Sequence, residues 1–74
     1  MKKTYFTIEF GVHVPESSVT SMVSGINSFG ILLDTGKPYT YELEIIKESK
    51  VNELKQRLLE WDRYGFLKWS SIEK

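Results

Sequence analysis

The segment FGILLDTGKPYTYELEII, residues 29–46, decides the fold. Phe29, Ile31 and Leu33 recur with a period of two, the repeat that sends alternate side chains to one face of a β-strand. Asp34-Thr35-Gly36-Lys37-Pro38 then gathers residue types that favour tight turns. Beyond it Tyr39, Tyr41, Leu43 and Ile45 alternate with Thr40, Glu42, Glu44 and Ile46, which predicts a second strand. Two strands joined so closely form an antiparallel hairpin. For both apolar sets to share a face, Leu33 must stand opposite Tyr41 and Ile31 opposite Leu43, with Gly36-Lys37-Pro38 as the loop and Gly36 in a left-handed position. Leu32 and Ile46 then point outward. The Asp34-Thr35-Gly36 triplet also occurs in the catalytic loop of aspartic proteases, but the chain is too short for that fold and turn chemistry accounts for it.

Upstream of the hairpin, Val19, Met22, Val23 and Ile26 fall at helical spacing after Pro15, with Ser17 or Ser18 as the N-cap. Earlier still, Phe6, Ile8, Phe10, Val12 and Val14 alternate with Tyr5, Thr7, Glu9, Gly11 and His13, predicting a strand from Thr4 to Val14. Downstream, Ser49 caps a second helix whose inner face is Val51, Leu54, Leu58 and Trp61, ended by Gly65 after Tyr64. Phe66 to Ile72 reads as a last strand with Leu67 and Trp69 inward; the alternative, a helix running on to Lys74, would bury Gly65 in its interior. Strand, helix, strand, strand, helix, strand is the split βαβ or ferredoxin-like α+β arrangement, a two-layer sandwich with both helices on one face of a four-stranded antiparallel sheet. The expectation is one such domain over residues 1–74.

Length and composition agree with that. Seventy-four residues hold one small core, and 41% hydrophobic with 14% aromatic content is that of a folded chain. No cysteine is present, which removes disulfides, thiolate metal sites and cysteine nucleophiles. Met1-Lys2-Lys3-Thr4 leads straight into the strand pattern, and with no long apolar run the expectation is a cytoplasmic protein without a membrane segment. Ten basic and ten acidic residues cancel. The cancellation is uneven: residues 4–46 carry five acids against Lys37 alone, whereas residues 47–74 carry seven basic and five acidic side chains. Glu48, Glu53, Glu60 and Asp62 interleave with those cations, and Glu53 and Arg57 have the spacing of a helix-stabilising ion pair.

The sheet face away from the helices is expected to show Tyr5, Thr7, Glu9 and His13 on the first strand and Thr40, Glu42, Glu44 and Ile46 on the third. Carboxylates there repel phosphate, where RNA-recognition motifs of the same topology present stacking aromatics. Acylphosphatase chemistry needs an arginine in the loop after the first strand, and none occurs between Met1 and Ile46. Glu9 near Glu42 or Glu44 across the strand pair makes a hard-cation site geometrically possible, but with His13 these residues lack recognisable metal-ligand spacing and read as solvated, so no cofactor or metal is assigned. His13, the sole histidine, is the one candidate acid–base group, and no nucleophile pattern surrounds it.

The expectation is therefore a small non-enzymatic protein-binding or regulatory module. It would act through Glu9, Glu42 and Glu44 on the open face and through Leu32 and Ile46 at an exposed edge, with a protein partner or a second copy. The alternatives are a nucleic-acid-directed regulator or small ribonuclease using the basic last helix and His13, and a dimeric small-molecule sensing domain.

Overall fold

Strands β1 (Thr4–Phe10) and β3 (Thr40–Ile45) lie side by side in a computed structural model that describes residues 3–74. Outside them stand β2 (Gly30–Asp34), next to β3, and β4 (Leu67–Glu73), next to β1, so the antiparallel sheet has the order β2-β3-β1-β4. Helices α1 (Glu16–Ile26) and α2 (Val51–Arg63) complete the ferredoxin-like α+β domain. Met1 and Lys2, which enter the charge and leader-segment expectations, lie outside the described residues.

The core is what the period-two and helical patterns select. Phe6, Ile8 and Phe10 from β1, Leu43 and Ile45 from β3, Leu67 from β4, Val19 and Ile26 from α1, and Leu54 and Leu58 from α2 are all buried. In β1 and β3, Phe6 faces Leu43 and Ile8 faces Tyr41; in β1 and β4, Thr4 faces Glu73 and Phe10 faces Leu67. Trp69 packs its ring 5.7 Å from that of Phe6.

The structure corrects the sequence reading at several points. β1 ends at Phe10, because Gly11 begins a turn in which the Val14 N–H donates to the Gly11 carbonyl at 3.0 Å. Val14 returns to the core, but Val12 is 88% exposed. Neither helix has a serine cap: Pro15 precedes α1, where its missing N–H costs nothing, and a 3-10 turn at Glu48–Lys50 leads into α2.

The hairpin register is shifted by one residue. Leu32 stands opposite Leu43, Ile31 opposite Glu44 and Leu33 opposite Glu42. Phe29 is buried, but in a 3-10 turn (Asn27–Phe29) rather than in the strand, so its phase does not propagate into β2. A one-residue slip exchanges the faces of a strand. Leu32 therefore packs against the core, and Ile31 and Leu33 are the outward pair.

The connecting turn runs from Thr35 to Tyr39, longer than the expected three residues. Asp34 Oδ1 accepts from the Gly36 N–H at 2.9 Å, and the Thr35 hydroxyl donates to the Thr40 carbonyl at 3.0 Å. Gly36 has φ +81, the left-handed geometry that favours glycine.

The end of α2 follows the expected logic. Gly65, with φ +80, donates its N–H to the Asp62 carbonyl at 2.9 Å, and Phe66 donates to the Trp61 carbonyl at 3.0 Å. This pair of bonds satisfies helix-end carbonyls and turns the chain into β4.

Candidate functional site

β2, β3, β1 and β4 present one uncovered face, and the strand registers order its residues into rows. Ile31, Glu44, Tyr5 and Ile72 form one row; Leu33, Glu42, Thr7 and Ser70 form the next; Thr40, Glu9 and Lys68 form a third. Ile31, Leu33 and Ile72 are 50%, 48% and 54% exposed. The face is thus apolar along β2, carries Ile72 beside Ser70 and Lys68 on β4, and is mostly polar along its centre.

Its electrostatics differ from the acidic surface expected. The strands run so that Lys68 faces Glu9 across the β1–β4 pair, and Lys74 places its Nζ 5.3 Å from the Tyr5 ring centroid. Lys3 Nζ lies 2.9 Å from Glu44 Oε2, and this hydrogen bond with its charge holds the Lys3 amine above its usual 10.5. Glu42 is flanked instead by Leu33 and Thr7. Of the three predicted carboxylates, Glu42 is the one that, among the described residues, has neither a cation as cross-strand neighbour nor an ion-pair partner.

The other predicted residues lie apart from this surface. Leu32 is on the helix side of β2. Ile46 is 63% exposed but follows the end of β3, its N–H donating to the Phe29 carbonyl at 3.3 Å. His13 stands in the β1–α1 turn rather than on the sheet, with its imidazole folded over Gly11, where a Cβ would come within 2.5 Å of Cε1. It borders two clefts. One, of about 320 Å³, lies between α1 and the end of α2 against Met22, Trp61 and Phe66; the other, of about 300 Å³, includes Glu9, Asp62 and Lys68. Among the described residues no side-chain hydrogen bond to His13 is present.

The basic residues of α2 are partly engaged inside the fold. Arg57 Nη1 donates to the Gly25 carbonyl at 3.4 Å, and its guanidinium lies 5.7 Å from the Phe29 ring centroid and 6.0 Å from that of Trp61. It joins the two helices instead of pairing with Glu53, whose ion-pair partner is Lys50 at 3.8 Å. Of the cations on α2, Arg57 is thus held in contacts within the fold.

Sequence reasoning missed Ile31, Leu33, Ile72 and Lys68 as members of one surface. Ile31-Leu32-Leu33 is apolar throughout, so its parity was set by Phe29, which turned out to belong to another element. The contribution of β4 needed its register against β1. Among the described residues no group of His, Asp and Glu side chains has metal-site geometry, and no helix is long and apolar enough to cross a membrane. No family model, curated protein or solved structure matches the chain.

Proposed function

We propose that the protein is a non-enzymatic binding module that engages a protein partner through its open sheet face. The observation that carries this reading is the outward placement of Ile31 and Leu33, half exposed beside Glu42 and Glu44. An apolar strip bordered by polar groups is the composition of a protein-binding patch. Burial of that strip supplies affinity, and Glu42 supplies polarity, favouring a partner with a basic or hydrogen-bond-donating group opposite it. With Glu9 facing Lys68 and Glu44 paired with Lys3, charge plays a smaller part than the bare count of carboxylates implies. A regulatory or inhibitory role fits a module of this size.

The test is affinity capture with three folded baits: the unaltered chain, Glu42→Lys in the middle of the face, and Ser24→Lys on the exposed side of α1. A specific protein retained by the first and third and lost from the second is the expected result. Equal capture by all three would place the binding surface elsewhere.

A further inference from the structure

β2 is an edge strand with β3 as its one neighbour among the described residues, and its single charge is Asp34 at the strand end. Its five residues, Gly30-Ile31-Leu32-Leu33-Asp34, include no lysine and no proline. Such a strand is a template for a further strand. Ile31 and Leu33 stand half exposed on the uncovered face at this edge.

The geometry points to a second copy of this chain as that next strand. We propose that β2 pairs antiparallel with β2 of another molecule about a two-fold axis at Leu32, joining two sheets into one of eight strands. Centring the axis on Leu32 pairs all five residues; centring it on Ile31 or Leu33 pushes one strand end past the other. In this register Leu32 meets its own symmetry mate on the helix side. Ile31 meets Leu33 twice on the open face, where directly opposed apolar side chains stabilise a strand pair. Asp34 meets Gly30, so no like charges are opposed. The chain's formal net charge of zero adds no long-range repulsion between copies. The contact is self-complementary, as a two-fold interface must be.

This proposal rests on the open-face reading and extends it. Two Ile31–Leu33 strips, each at the margin of one sheet, become a single apolar patch at the centre of the joined sheet. The partner-binding surface is then completed by the second copy.

Absence of cysteine allows a direct test. Ile31→Cys and Leu33→Cys are prepared as separate proteins, checked for folding by circular dichroism, and oxidised alone and mixed. Directly opposed residues in an antiparallel pair lie within disulfide reach, whereas the diagonal neighbours that each variant alone would offer are too far apart. The expected result is a disulfide-linked dimer several-fold more abundant in the mixture than in either protein alone. Light scattering on the unaltered chain should give twice 8.6 kDa at micromolar to near-millimolar concentration. A monomer throughout that range would overturn the proposal. A dimer without preferential 31–33 linkage would overturn the β2 contact in favour of another surface. Either outcome leaves the Glu42→Lys capture experiment interpretable, because Glu42 lies on β3, one strand in from the edge.

Discussion

Thr4 and Glu48, separated by 44 positions in the chain, are joined by two hydrogen bonds to one carboxylate. The Thr4 hydroxyl donates to Oε1 at 2.7 Å and the Thr4 N–H donates to Oε2 at 3.1 Å. Thr4 is the one buried polar residue described, at 3% exposure, and the clamp ties the start of β1 to the turn that leads into α2. Removing the carboxylate leaves both donors without their acceptor. Glu48→Ala should lower stability by about 1–3 kcal/mol, and a double-mutant cycle with Thr4→Val should return a coupling of about 1 kcal/mol or more in urea unfolding. Additive losses would show that the bonds contribute nothing in solution.

Two glycines should respond in opposite directions to alanine. A Cβ at Gly30 would run into the Glu44 carbonyl oxygen of the paired strand, so Gly30→Ala must push β2 from β3. We expect a loss of at least about 2 kcal/mol. At Gly25, inside α1, a Cβ would meet Arg57 Nη1 at 3.5 Å, an ordinary contact. Gly25→Ala should therefore stabilise by about 0.5–1 kcal/mol through helix propensity. Thermal unfolding of the two variants checks both signs.

Val12 and Leu58 separate apparent from actual core. Leu58 is fully buried, and Leu58→Ala should cost about 2–5 kcal/mol. Val12, 88% exposed, should accept alanine or lysine within about 0.5 kcal/mol. A large loss at Val12 would mean that β1 continues past Gly11.

Lys3 gives a pH dependence of defined sign. Its amine titrates above the usual 10.5 because the folded state pairs it with Glu44, so the pair favours folding while the amine is charged in both states. That contribution is complete below 10.5 and is lost as pH rises through the folded-state value. The stability difference between the unaltered chain and Lys3→Met should stay constant from neutral pH to about 10 and shrink above it. The effect should be small, since Lys3 is half exposed and screened.

Much of the architecture was legible because the residues that set it are unambiguous. Phe6, Ile8 and Phe10 admit one strand phase and Leu54 and Leu58 one helical face, while Gly65 favours a stop over a helix continuing to Lys74. The errors fall where neighbouring residues have the same polarity or where a turn absorbs a residue. Val12 continues the alternation of β1, yet the Gly11–Val14 turn removes it from the sheet. Leu32 sits between two other aliphatics, and local pattern does not choose its face; the register with Leu43 does. For the surface, Glu9, Glu42 and Glu44 were found from their own strands. Lys68 opposite Glu9 and Lys3 beside Glu44 come from distant segments of the chain and meet them only through tertiary pairing.

The pairing of Thr4 with Glu73 sets a requirement on how the chain acquires its fold. β1 emerges first during synthesis yet occupies a central lane, and its neighbour β4 is supplied by residues 67–73. Until those residues have left the ribosome, β1 has an unpaired side and Phe6 lacks the Trp69 ring that packs against it. Contacts this distant in sequence slow folding through the entropy of closing the intervening loop. Completion of the sheet must therefore be a late event, and a nascent chain stalled before Leu67 would expose a strand edge to aggregation or to chaperones.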